Sequence, residues 1–385
     1  MGRNVFMKNI VIVAHKFLQQ PDDDLVVYLN NKSYENVLHI LHSFPDAQDR
    51  CSKYIWYKNG KIYKEIKSYD FRAFPEVVVY LKEFFYTFKW IVTSKVTWDL
   101  YIGMDGMLTS VGIILKKTGK IKRVVFWAMD LVPKGRFKGT LGRFKNLIYK
   151  RINTYSYTGC DELWDISPRM KEARYKFLGI PTNGYRYQKL VPFGVWLNRI
   201  GHYTYNQCKK TTIVFMGHLL EKQGVQLVIE ALPEITKIYP NIKFAIIGDG
   251  KYKEELVRLA RKCGVESRCE FLGRIQKHEE LEHIIAQCAI AVAPYMKSLD
   301  TWTYYADPGK VKVYLACGVP VVLTNLPWNA KNIEKQRCGI IVEPTIKSVR
   351  EAIITLLDPK TNESYRKAAT TFANDYNYET MFSYL

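Results

Sequence analysis

Short apolar runs alternate with longer amphipathic stretches along almost the whole chain. NIVIVA at 9–14 is the first run, and it predicts a strand buried on both faces. Further strands are predicted at 37–41, 99–102 and 123–128. A hairpin is predicted at 55–57 and 61–64 around Asn59-Gly60, a dipeptide suited to a tight turn. Between them the spacing predicts helices at 76–93, 108–116, 144–160 and 168–178. Residues 198–210 are polar and loop-like, and after them the alternation restarts. Strands are predicted at 211–216, 243–247, 268–272, 290–293, 319–324 and 340–342, with helices at 223–238, 252–262, 279–286, 311–316, 348–357 and 363–371.

Apolar strands separated by helices build parallel sheets covered on both faces. The pattern therefore predicts an α/β chain of two Rossmann-like domains, 1–200 and 201–370. Ligands of such sheets bind outside the carboxyl ends of the strands, so the expected site is a cleft across which the two domains face each other. Residues 371–385 are rich in aromatics and are expected to form a terminal helix packing back on the first domain.

Charge narrows the choice of partners. Lys and Arg total 57 against 37 Asp and Glu, a formal charge of +20. That excess favours anions: nucleotides, anionic lipid or nucleic acid. The eight cysteines include no CxxC pair, so zinc-ribbon spacing is absent, and they read as reduced, buried small hydrophobes of a cytoplasmic protein. The N-terminal apolar run is too short for a signal peptide, and no stretch approaches the ~20 apolar residues of a membrane-spanning helix.

The second half holds the phosphate chemistry. In FMGHLLEKQGV, Gly217 follows a strand, and its missing side chain lets backbone approach a ligand. Lys222 places a cation near the next helix start, where a helix N-terminus already favours a diphosphate. FAIIGDG ends a strand in a turn, but Gly248 and Gly250 lack the third glycine of a dinucleotide fingerprint. In DPGKVKVYLACGVPVV, Pro308 opens a helix and Gly318 closes it. Asp307 is expected to cap that helix or meet sugar hydroxyls, and the amides of Gly309 and Lys310 form the best anion cradle in the chain. Each of these features also has a plain structural reading, a solvated lysine or an ordinary capped helix.

Together the segments GHLLEKQGVQLVIEAL, FAIIGDGKYKEELVRLARKCGVESRCEFLG and YADPGKVKVYLACGVPVV resemble family 4 retaining glycosyltransferases of the two-Rossmann GT-B architecture. VPFGV at 191–195 is similar to that family's end of the first domain, and FANDYNYETMFSYL to its cross-over helix. The resemblance implies a nucleoside diphosphate sugar, UDP- or GDP-linked, as donor substrate, with no metal and no other cofactor. It implies that Lys222 meets the diphosphate and that His218 stands where the family has arginine. Gly217 and Gly248 would shape the site, Arg274 would lie near the nucleotide base, and Gly309, Lys310 and Val311 would face phosphate and sugar. Tyr305 and Val313 occupy the places of two family glutamates, and valine cannot hold ribose hydroxyls. That departure keeps a rival reading open: a degenerate, non-catalytic partner of another transferase.

The first half is expected to serve a saccharide or lipid-linked acceptor. His15 lies at a strand end, and Asp22, Asp23 and Asp24 follow it as helix-capping or solvated acids. Asp105 and Asp130 each follow an apolar strand, and one of them is expected to act on the acceptor hydroxyl, in a place where the family often has histidine. Residues 134–151 carry seven Lys or Arg and no acid, interleaved with Phe137, Leu141, Phe144, Leu147 and Ile148. That mixture suits an anionic membrane surface, here the inner face of a cytoplasmic membrane. A nucleic-acid partner is not expected, since no stacking platform or recognised module accompanies the charge.

Overall fold

Strand 9–14 is apolar at every position that a two-sided core requires, and Ile10–Ala14 are wholly buried. In the computed structural model, which describes residues 7–16, 21–44, 50–71, 73–129, 131, 139–182, 187–296 and 302–385, the chain divides into two compact units. The first comprises Met1–Pro192 with Phe382–Leu385, and the second Phe193–Met381.

The first unit runs β1 (Asn9–His15), α1 (Pro21–Asn31), β2 (Asn36–His42), β3 (Lys53–Lys58), β4 (Lys61–Lys67), α2 (Glu76–Thr93), β5 (Trp98–Gly103), α3 (Gly106–Lys117), β6 (Ile121–Ala128), α4 (Gly139–Gly159), β7 (Glu162–Asp165), α5 (Met170–Leu178) and β8 (Gln188–Leu190). Its sheet has the order β4-β3-β2-β1-β5-β6-β7-β8. All neighbours are parallel except β2–β3 and the hairpin β3–β4, which form an antiparallel edge. Asn59 and Gly60 both take left-handed φ values, 47° and 77°, as a tight hairpin turn demands. Three short elements that the sequence pattern does not announce complete the unit: α1, β7 and β8.

The second unit runs β9 (Lys209–Met216), α6 (Val225–Ile238), β10 (Lys243–Ile247), α7 (Lys253–Lys262), β11 (Cys269–Gly273), α8 (His278–Ala286), β12 (Cys288–Ala293), α9 (Gly309–Ala316), β13 (Val321–Thr324), α10 (Ala330–Lys335), β14 (Gly339–Val342), α11 (Ile346–Leu357), α12 (Pro359–Ala373) and α13 (Tyr378–Met381). Its sheet is wholly parallel, in the order β11-β10-β9-β12-β13-β14. One face is covered by a core around Ile213, Phe215, Val228 and Phe244, the other by one around Val214, Ala291, Leu315 and Leu323.

In each sheet the chain builds outward on one side of its first strand and then crosses to the other. The reversal lies between β1 and β5 in the first unit, and between β9 and β12 in the second. At such a switch point the loops leaving neighbouring strands diverge and open a crevice for a ligand. The eight cysteines are thiols, and burial raises those of Cys160, Cys269, Cys288 and Cys338 to about 12, so these four are inert packing groups.

Candidate functional site

Both switch points hold charged side chains, of different kinds. In the first unit His15 ends β1, and Asp105 leaves β5 to cap α3 by accepting the amide of Leu108 at 2.8 Å. His15 Nδ1 lies 2.8 Å from Asp105 Oδ2, and His15 Nε2 lies 3.2 Å from Glu83 Oε2 on α2. The ring stacks on Phe44 with centroids 4.6 Å apart. Burial works against charge on this imidazole, but the two carboxylates outweigh it and raise its pKa to about 10. Behind it His42 donates and accepts within Ser52 and Thr87, and burial followed by the positive charge of His15 keeps it well below the usual histidine range.

Glu83 is fully buried, and its Oε1 has no hydrogen-bond partner among the described residues. A buried carboxylate oxygen left without a donor is costly, so the position suits a hydroxyl donor from a ligand. The sequence marks Asp105 but not Glu83, which sits inside an apolar-aromatic helix. His15, expected at a strand end, stands beside Asp105 and is paired to it. Asp130, the other acid expected on the acceptor side, lies outside the described residues, as do residues 134–138 of the basic stretch.

Elsewhere in this unit Asp22 is buried and bonds His39 Nε2 at 2.8 Å. With Asp23 these atoms lie within 4.8 Å of one another, the one grouping among the described residues that would admit a metal ion.

In the second unit the turn after β9 carries Gly217, exposed His218, Lys222 and Gln223. Lys222 lies in a short 3-10 turn, Glu221–Gln223, and α6 starts only at Val225. The turn after β10 packs directly on it. Leu219 N donates to Asp249 O at 2.9 Å, and Gly217 N to Ile247 O at 2.9 Å. Gly248, at φ 134°, would place a Cβ 1.9 Å from Gly217 O, so only glycine allows the two turns to touch. Lys310, in the first turn of α9, donates to Gln223 Oε1 at 2.6 Å and lies over the rings of Phe215 (4.3 Å) and Tyr295 (5.4 Å). Gly217, Lys222, Gln223 and Lys310 are thus brought together at the switch point.

One expected contributor is placed differently. Asp307 does not cap α9 and does not face outward. Its carboxylate accepts from Phe193 N at 2.7 Å, Trp328 Nε1 at 2.8 Å and buried Lys312, so it anchors the loop. Arg274 is exposed just beyond β11, the outermost strand, away from the β9–β12 switch point. The side chain of Val311 is buried among the core residues of its helix, and its amide donates to Pro308 O at 3.2 Å.

Residues 206–372 match the family described as glycosyl transferases group 1. The matched segment lies within the second unit. Among curated proteins, the GDP-mannose-dependent alpha-(1-6)-phosphatidylinositol monomannoside mannosyltransferase of Mycobacterium tuberculosis is 27% identical over 157 residues, 40% of this chain and 40% of the relative. The match therefore spans well under half the length of that relative. Among solved structures, sucrose-phosphate synthase of Thermosynechococcus elongatus superposes with a TM-score of 0.71 at 16% identity, covering 96% of each chain. HepE of Anabaena in complex with UDP superposes with a TM-score of 0.67 at 14% identity, covering 97% of each chain. These likenesses show the fold: two Rossmann-like domains of the GT-B type.

Proposed function

We propose that the chain is a retaining glycosyltransferase that moves a sugar from a UDP- or GDP-linked donor to an acceptor hydroxyl. The observation that carries this reading is the convergence of Lys222, Lys310 and the start of α9 on the switch point of the glycosyltransferase-like unit. The first amides of a helix have no intrahelical acceptor and hold anions well. In the reaction the bond from the anomeric carbon to the β-phosphate oxygen breaks, and a bond to the acceptor oxygen forms on the same face. The acceptor proton passes to the departing diphosphate. Lys222 and the amides of Gly309 and Lys310 stabilise the charge that grows on this leaving group. In the first unit, His15, Asp105 and Glu83 hold the acceptor, with Glu83 Oε1 accepting a hydrogen bond from one of its hydroxyls.

The acceptor is proposed to be lipid-linked, with the protein peripheral on the inner face of a membrane. Two helices support this. On α4 the exposed residues Leu141, Phe144, Ile148 and Tyr155 follow steps of three, four and seven and so share a face, beside exposed Arg143, Lys150 and Arg151. Its buried positions are the small or polar Gly142, Asn153 and Ser156 with Tyr157. On α2, Val77, Leu81, Phe85 and Val92 are exposed while Lys82, Glu83 and Thr87 are buried. α4 shows the reverse of the usual core-facing pattern, and α2, which buries Val79, Trp90 and Ile91 in the core, carries a second apolar row outside. An apolar face rimmed by basic groups fits anionic lipid. Among the described residues no helix is long and apolar enough to cross a membrane.

The test is a panel of UDP- and GDP-sugars with release of nucleoside diphosphate as readout, on the parent and on Lys222→Ala. Turnover is expected with at least one donor, and Lys222→Ala is expected to lose nucleotide affinity. A folded protein that binds nucleotide yet neither transfers nor hydrolyses any donor supports instead the non-catalytic partner suggested by Val313.

A further inference from the structure

His39 and His42 lie three residues apart on β2, and side chains alternate along a strand, so the two rings point to opposite faces of the first sheet. His42 meets Thr87 of α2, on the face that carries His15 and Glu83. His39 meets Asp22 at the start of α1, on the other face. Both partners are almost wholly buried, His39 at 2% exposure and Asp22 at 1%. Asp22 offers only Oδ2 to the imidazole, at 2.8 Å, and its Oδ1 has no hydrogen-bond donor among the described residues. Asp23 brings a second carboxylate to the same point: one ligand atom from each of Asp22, Asp23 and His39 lies within 4.8 Å of the others. Asp23 keeps contact with solvent, yet partial burial, and then the charge of Asp22, raise its carboxyl above the usual range against the pull of His39. Acids in a first helical turn are ordinary, since they answer the positive end of the helix. That accounts for Asp22, Asp23 and Asp24 as a group. It does not account for a carboxylate turned inward onto a buried histidine with one oxygen idle, because a buried carboxylate oxygen needs a donor or a cation.

We propose that Asp22, Asp23 and His39 bind a divalent transition-metal ion, of which zinc is the type, and that this ion pins the start of α1 to β2. One imidazole nitrogen with two carboxylates suits ions that accept mixed nitrogen and oxygen ligands, whereas magnesium and calcium favour oxygen alone. The ion takes the place of the hydrogen shared by His39 Nε2 and Asp22 Oδ2. Nε2 must be free of hydrogen to act as a ligand, so in the loaded site the ring carries its hydrogen on Nδ1. The two carboxylates balance the charge of the ion, and the solvent-facing side beside Asp23 leaves a position for water. The ion is structural: the sheet separates it from His15 and Glu83, and no step of sugar transfer passes through it.

The experiment is a zinc titration of the metal-free full chain at neutral pH, in competition with a chromophoric chelator, with amide hydrogen exchange over α1 as a second readout. The parent is expected to hold one tight equivalent of zinc. Asp23→Asn alters a solvent-facing residue and leaves the Asp22–His39 pair in place, so it keeps the fold and is expected to lose that equivalent's affinity by about tenfold or more. Zinc is expected to slow exchange of the α1 amides in the parent and not in Asp23→Asn. Excess magnesium is expected to leave the zinc in place. A folded parent that binds no zinc overturns the proposal. So does binding of equal strength in parent and Asp23→Asn, which would put the ion on thiols or histidines elsewhere, and so does binding that leaves α1 exchange unchanged.

Discussion

Asp307 and Lys312 are five residues apart, one before and one within α9, and both side chains are buried. Burial lowers the Lys312 pKa and the Asp307 carboxylate opposes that fall, so each charge depends on the other. Replacing one member of such a pair leaves an unmatched buried charge, at a cost of about 3–5 kcal/mol. Asp307→Asn is therefore expected to lower the stability of the second unit by that order, read as a shift in its denaturation midpoint. An unchanged midpoint would place the pair in water. The sequence shows a carboxylate ahead of a proline-opened helix, which suggests a cap. It does not show that Lys312, three positions into the helix, turns back to meet it. His15 makes a prediction with the opposite sense of pH. Its folded pKa of about 10 lies above the ordinary histidine value of 6.5. Its contribution is therefore whole below about pH 6.5 and is lost as pH rises toward 10, with a slope of up to ~1.4 kcal/mol per pH unit. Urea denaturation between pH 6.5 and 9.5 is expected to show this decline, and His15→Gln to flatten it. A parallel decline in parent and variant would assign the slope to another group.

Among the elements, those defined by apolar runs were the most legible. β1, β5, β6, β9, β10 and β12 are buried on both faces, and a continuous apolar run is what such a strand requires. The β3–β4 hairpin followed from Asn59-Gly60. α1 was hidden because Asp22–Asp24 read either as helix-capping or as solvated acids, whereas Asp22 is drawn inward by His39. β7 and β8 were hidden by their length, four and three residues. Periodicity also cannot say which face of a helix is covered, as α4 illustrates. Its apolar stripe is outside, because Ser156 Oγ bonds Gly106 O and Asn153 packs against Gly106 on the α3 side. Replacing Arg143, Lys145, Lys150 and Arg151 by Gln is expected to release the protein from phosphatidylserine-containing vesicles in a sedimentation assay, with the fold intact by circular dichroism. Equal sedimentation of parent and variant would remove α4 as the lipid contact.

For the whole molecule, the chain enters the second unit once, after Pro192, and leaves it again after Met381. The final residues complete the first unit's core. Phe382 is fully buried, edge-on to Tyr28 at 5.6 Å and to Trp127 at 5.9 Å, and Tyr384 stands edge-on to Trp164 at 5.8 Å. Phe382→Ala is expected to destabilise the first unit by about 3–5 kcal/mol, the usual cost of emptying a buried aromatic site. A loss below ~1 kcal/mol on denaturant unfolding would mean that the tail merely rests on the surface. The aromatic tail was legible as a segment that must pack, but its partners, Tyr28 and Trp127, are far away in sequence and carry no local signal.

That closing segment also orders the protein's synthesis. A ribosome delivers β1 to β8 first, and domains ordinarily fold as they emerge. Here Tyr28 and Trp127 must wait, with their rings uncovered, until the entire second unit has been translated and Phe382 arrives. The unit begun first is finished last, so for most of translation it presents an aromatic surface of the kind that folding chaperones bind.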